Sequence, residues 1–362
     1  MKRLAHYWFV GVATVAGLAL VGLLLAWCTL TASSSASAEQ SHAGESGSAA
    51  QVSAGSEFTV CTASGGQSSP AIYDDVVVWT DDRGTDADIY GYDLSTGQEF
   101  TACTSPGFQY YPAIYGDIVV WNGGQGTDLD IYGYDLSTGH EFTVCTTLGA
   151  QMSPAIYGDV VVWQDFRGGQ WDIYGYDLTS GHEFTVCTAS GGQNSPAIYG
   201  DLVVWNDHRG ADWDIYGYDL SAGQEFTVCT SSGHQYYPAI YGDIVVWEDW
   251  RGGTSMGHVY GYDLGTQQEF TISIAAGDPE PAIHGNIVVW ADDRGTDADI
   301  YGYDLSTGQE FTVCTASGDQ RSSAIYGGIV VWRDWRGAGG DIYGRQIGFR
   351  IYLPTIMRNH GP

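Results

Sequence analysis

The chain of 362 residues carries 13 Lys and Arg against 43 Asp and Glu, a formal net charge of −30. A surface with that balance repels phosphate backbones and anionic headgroups, which excludes nucleic-acid binding and electrostatic docking on lipid. Length alone fits two or three ordinary domains, but a repetitive chain is read by its period first.

In chain order, positive charge at Lys2 and Arg3 precedes an almost wholly apolar run over 9–30, and Ala36-Ser37-Ala38 offers small residues for signal-peptidase cleavage. Residues 1–38 therefore read as a signal peptide, or as an uncleaved N-terminal anchor, since the run is long enough to span a bilayer. Bulky Trp27 before Cys28 argues against a lipoprotein signal. An extracytoplasmic protein is expected, secreted or held at the cell surface, with membrane contact only through such an anchor. Residues 39–55, rich in Ser, Ala and Gly, read as a disordered linker.

From there one pattern recurs seven times. Val-Val-Trp ends at Trp79, Trp121, Trp163, Trp205, Trp247, Trp290 and Trp332, every 42 or 43 residues. That period without helical patterning predicts the blades of an all-β seven-bladed propeller over 56–348. Each copy reads as four short antiparallel strands, in the first copy at 70–73, 76–79, 88–92 and 99–103, joined by turn-forming Asp-Asp and Asp-Leu-Ser-Thr-Gly. The second strand is a continuous apolar run, so both its faces should be covered. Gly91 interrupts the third strand, which implies close approach of another group, here expected to be the repeated Trp. Glu57-Phe58-Thr59-Val60-Cys61 is a fourth strand with no blade before it, while the seventh copy ends after its third strand at 341–344. The N-terminal strand should therefore complete the last blade and close the ring.

The run Trp79-Thr80-Asp81-Asp82-Arg83 with Asp88-Ile89-Tyr90-Gly91-Tyr92-Asp93-Leu94, recurring through Trp332 and Tyr343, resembles the TolB-like family of propeller repeats. The resemblance covers nearly all of 57–344. It implies the propeller fold and an exported or cell-surface setting, but no particular activity, since such propellers serve many roles. TolB itself has six blades and an additional N-terminal domain, so its envelope role is not carried over.

Residues repeated in every blade are expected to serve the blade. Cys61, Cys103, Cys145, Cys187, Cys229 and Cys314 share one fourth-strand position. Equivalent positions on neighbouring blades should lie roughly 15 Å apart, too far for disulfides, so these read as buried free thiols. Asp81 and Arg83 recur as Asp165 and Arg167, Asp207 and Arg209, Asp249 and Arg251, Asp292 and Arg294, and Asp334 and Arg336. Two residues apart on one face, they read as structural surface ion pairs. Blade two lacks both, at Gly123 and Gln125. The Gln67, Gln109, Gln151, Gln193, Gln235 and Gln320 series is read as structural, with a ligand-holding ring of amides as the alternative. No cofactor or metal is expected. The only calcium candidates are Asp86, Asp88, Asp297 and Asp299, with Asp128, Asp130, Asp212 and Asp214 at matching positions, and no Asp-x-Asp-x-Asp-Gly loop supports them.

An individual function belongs where the symmetry breaks. Both variable connections, fourth strand to next first strand and second strand to third, should emerge on one face. That face carries Phe108, Tyr110, Tyr111, Phe166, Trp171, Trp213, His234, Tyr236, Tyr237, Trp250 and Trp335. Aromatic rings on a rigid frame suit stacking on sugars or anchoring a protein. The expected function is a non-catalytic binding or scaffold module engaging a protein or glycan. The alternatives are a structural surface-layer or matrix component, suggested by the near-identity of blades one and six, and a polysaccharide-active lyase or glycosidase. No nucleophile-base motif is present, and His208, His234, His258 and His284 are scattered over different blades. The tail, 349–362, concentrates positive charge and reads as packing on the propeller or as a retention signal.

Overall fold

The computed structural model describes residues 54–125, 128–251, 256–337 and 339–348. The expected signal peptide, nearly all of the linker and the C-terminal tail lie outside the described residues. Twenty-eight strands form seven four-stranded antiparallel sheets. In blade one the order is Gln67–Tyr73, Val76–Asp81, Asp88–Asp93 and Gln98–Cys103, each strand hydrogen-bonded to the next. First strands of successive blades contact one another around the ring and line the central channel. The N-terminal strand Ala54–Cys61 pairs with Asp341–Ile347 and completes blade seven, beginning two residues before the expected boundary.

The apolar second strands produce this packing. Val77, Val78 and Trp79 are wholly buried, as are their equivalents in the other blades. The core is divided among the blade junctions. Trp79, Val77 and Ile72 of blade one meet Val331 and Ile342 of blade seven and Val60 and Cys61 of the closing strand. Truncating such a Trp to Ala costs about 3–5 kcal/mol. The glycine of the third strand has a different neighbour from the one expected. A Cβ on Gly91 would stand 2.2 Å from Cζ of Phe100, and the same clash recurs between Gly133 and Phe142 and between Gly217 and Phe226. The ring of the fourth-strand Phe, lying across the third strand, requires glycine; the Trp does not.

The repeated ion pair is also more than a surface pair. Asp81 is completely buried, and its Oδ2 accepts hydrogen bonds from Trp79 Nε1 at 2.8 Å and Arg83 Nη2 at 2.7 Å. Arg83 Nη1 donates to Glu99 of the fourth strand at 2.6 Å, its guanidinium lies 4.0 Å above the Tyr90 ring, and Nη2 stands 3.3 Å from Cys61 of the preceding blade. Six blades carry this lock, with Ser273 in the cysteine's place at blade six, and in blade seven Glu57 of the closing strand takes the glutamate's part with Arg336 at 2.5 Å. The six repeated cysteines are buried and unbridged. Burial raises their pKa values, to about 11 for Cys61, Cys187 and Cys314.

Candidate site at the loop-face channel mouth

The two ends of the channel differ in kind. At the short-turn end, Tyr73, Tyr115, Tyr157, Tyr199, Tyr241, His284 and Tyr326 form a closed collar with successive ring centroids 4.5–4.7 Å apart. Interplanar angles of 44–53° approach the rotation of about 51° between blades of a seven-fold ring, so the ring planes run along the channel axis. At that spacing each ring packs against its neighbours, leaving no free face for a ligand. The collar borders a cavity of about 470 Å³ lined mainly by its own rings. Burial holds His284 down at about 4, and its Nδ1 accepts the Gly327 N–H at 3.2 Å.

The opposite end is the loop face. Asp86 Oδ2 accepts the Gly107 N–H, and Asp297 Oδ2 the Gly318 N–H, at 2.8 and 2.7 Å. These bonds tie the two variable connections together on one face, as expected, and give the outer acidic residues a structural use. Among the described residues no three His, Cys, Asp or Glu side chains gather as a metal-binding group. The glutamine series is turned inward: Gln109 Nε2 donates to the carbonyls of Ser105 and Gly107 at 3.0 and 2.8 Å, stapling its own loop instead of lining the channel.

What lines this mouth is set by the backbone. In six blades the first strand is bulged where its register shifts, between Ser68 and Ala71 in blade one, while in blade six it is cut to Ala282–His284 and pairs without a shift. The residue before the usual Pro adopts a left-handed conformation in every blade, at Ser69, Tyr111, Ser153, Ser195, Tyr237, Glu280 and Ser322. Positive φ is strained for residues other than Gly, and here seven copies of it project side chains into one concavity of about 630 Å³. Four blades present Ser, two present Tyr, and blade six presents Glu. A second series, the residue after each repeated Trp, lies behind this one: Asn122 Oδ1 accepts the Ser153 N–H and Gln164 Oε1 the Ser195 N–H, at 3.2 and 2.9 Å. In chain order that series is Thr80, Asn122, Gln164, Asn206, Glu248, Ala291 and Arg333. It holds six residue types in seven blades, a signal present in the sequence but not singled out there.

Polar chemistry concentrates on blades five to seven. Glu248 is 1% exposed, accepts a hydrogen bond from Trp250 Nε1 through Oε1, and leaves Oε2 buried without a partner. Burial, reinforced by Asp278 and Glu280, pushes it up to about 7. Burial also raises Glu280, while Arg321 opposes the rise. Tyr237 is pushed up to about 12, by burial first and then by Glu280, Glu248 and Asp278, with the Tyr111 phenol also contributing. Arg333 borders the mouth from blade seven, 4.1 Å above the Trp335 ring, and burial lowers it.

The aromatic candidates divide accordingly. Tyr110, Tyr111 and Tyr237 line the mouth, with Tyr111 and Tyr237 half-exposed. Phe108 stacks on Tyr110 at 5.9 Å, extending one ridge outward. Trp213 and His234 both pack on Tyr236, at 6.0 and 5.7 Å, and this second ridge ends on Tyr237, 6.2 Å from Tyr236. Phe166 and Trp171 form a separate pair, 5.1 Å apart, outside the mouth. Trp250 and Trp335 act from behind it, through Glu248 and Arg333.

No family model and no curated protein matches the chain. Among solved structures it is similar to TolB from Acinetobacter baumannii, at 18% identity and TM-score 0.53, over 66% of this chain and 62% of that one. It is also similar to an oligogalacturonate lyase in complex with manganese, at 12% identity and TM-score 0.61, over 83% and 99% of the two chains. The β-propeller domain of the Trilobed protease from Pyrococcus furiosus, described as having an open velcro topology, gives 14% identity and TM-score 0.61 over 83% and 99%. At these identities the shared property is the propeller fold. A lyase and a protease domain stand beside TolB among such neighbours, so the site's own chemistry has to carry the functional argument.

Proposed function

We propose that the chain is an extracytoplasmic binding module whose loop-face mouth holds a glycan. The observation that carries this reading is the convergence of symmetry-breaking residues there: Tyr111 and Tyr237, half-exposed on blades two and five, above a floor of serines with Glu280 and Arg333 in the wall. Sugar rings combine apolar faces with rims of hydroxyls, and this mouth offers aromatic faces beside hydroxyl, carboxyl and guanidinium groups. Binding of the full chain to an array of envelope and extracellular polysaccharides tests the reading. Tyr111→Ala and Tyr237→Ala should each weaken a selective signal about tenfold and together abolish it. Silence across the array, or an unchanged signal in the double variant, would refute it.

One observation favours a second reading, a polysaccharide-active enzyme. Glu248, pushed up to about 7, lies buried behind the mouth, with Glu280 and Tyr237 beside it in the wall, a set of groups suited to acid–base chemistry. Release of shorter saccharides from a bound polymer, lost in Glu248→Gln while binding persists, would select this reading.

A further inference from the structure

Six blades hold an arginine in the lock described above, and blade two keeps the frame without it. Its Asp and Arg positions are Gly123 and Gln125. Glu141 stands where Glu99 does in blade one, on the fourth strand opposite Tyr134 as Glu99 is opposite Tyr92. Cys103 reaches the junction from the preceding blade as Cys61 does, raised by burial with Glu141 among its neighbours. The ring on which the arginine should lie has not moved. Tyr132 is 6.4 Å from Trp121 at 26°, against 6.3 Å at 24° and 6.5 Å at 25° in blades five and six. Those two blades carry Arg251 and Arg294 over the same ring face, at 3.9 and 4.2 Å.

Two further features mark the frame as incomplete. The Trp121 indole N–H is fully buried without a partner, whereas the other six donate to aspartate. It faces the vacated position, since a Cβ on Gly123 would lie 3.3 Å from Nε1. The Tyr132 hydroxyl donates to Asp130 Oδ2 at 3.2 Å, so a second carboxylate stands at the edge of the ring. A water held at this end would accept from the buried indole N–H.

We propose that this blade-two frame is a binding site for a guanidinium group brought by another molecule. The six intact locks supply its template: the planar cation lies on the tyrosine face and donates to the glutamate, as Arg83 does to Glu99 at 2.6 Å, and in five of them a thiol stands alongside. A guanidinium suits that arrangement because it is flat, weakly hydrated and forked, and an ammonium lacks all three properties. The group comes either from an arginine within a polypeptide or from a free guanidino compound.

Calorimetric titration of the full chain with arginine amide and with lysine amide, which match in charge, tests the proposal. Arginine amide should bind at a single site at least tenfold more tightly than lysine amide, and Glu141→Ala should weaken it at least tenfold. The double variant Gly123→Asp/Gln125→Arg rebuilds the internal lock. It should raise the thermal midpoint and abolish arginine amide binding, which separates loss of the site from loss of fold. Equal binding of the two amides, or undiminished binding to the rebuilt variant, would overturn the proposal in favour of general attraction to an acidic surface. A blocked Gly-Arg-Gly peptide distinguishes the sources: affinity equal to arginine amide assigns the site to a polypeptide arginine, and tenfold weaker binding assigns it to a free compound.

Discussion

Glu248, buried, and His284, half-buried, are titratable groups of opposite sign, and each sets a pH dependence. For Glu248 the folded value of about 7 lies above the ordinary 4.5, so the folded state holds the extra proton between those limits. Stability therefore falls as pH rises from about 4.5 through 7, by on the order of 3 kcal/mol. Glu248→Gln should leave urea stability unchanged near pH 4.5 and raise it at pH 8. His284 runs the other way. Its folded value of about 4 lies below the ordinary 6.5, so the unfolded chain binds more protons between them and stability is lost as pH falls through that window. His284→Tyr, which supplies the ring found at the other six collar positions, should flatten the acid side of a plot of thermal midpoint against pH.

Within a blade, the close approach of Phe100 to Gly91 predicts that Gly91→Ala destabilises by about 2 kcal/mol through overpacking. Phe100→Leu should recover part of that loss in denaturant unfolding. The same contact shows what was legible beforehand. Strand number, the all-buried second strand and the closing role of residues 57–61 follow from period and apolar runs, which the chain displays openly. The identity of the group above Gly91 depends on cross-strand register, and Phe100 sits nine residues away with nothing in the sequence to align them. The Asp81–Arg83 pair was readable as a pair, whereas the burial of Asp81 and the parts played by Trp79 and Glu99 needed the packed blade. At the mouth, Tyr111 and Tyr237 were visible as departures from Ser. Thr80, Glu248 and Arg333 were overlooked because a position that changes in nearly every copy looks unconstrained until its shared location is known.

For the molecule as a whole, closure rests on one strand supplied from the far end of the sequence. Removing residues 54–61 strips blade seven of its outer strand and Arg336 of Glu57, and leaves Asp341–Ile347 as an open edge. Light scattering should show the truncated chain associating into dimers or larger species, while the intact chain, under the same conditions, does not.

The six buried thiols also form a set of reporters distributed around the circumference. Each is shut away by the blade that follows it, so a bulky thiol reagent reaches it only when those two blades part. Single-cysteine variants, timed against such a reagent under native conditions, would rank the junctions by how often each one breathes. Five of the six thiols have an arginine in the lock they face, and Cys103 has none. Its labelling should be the fastest, so that the weakest seam of the ring lies between blades one and two, away from the seam where the ends of the chain are joined.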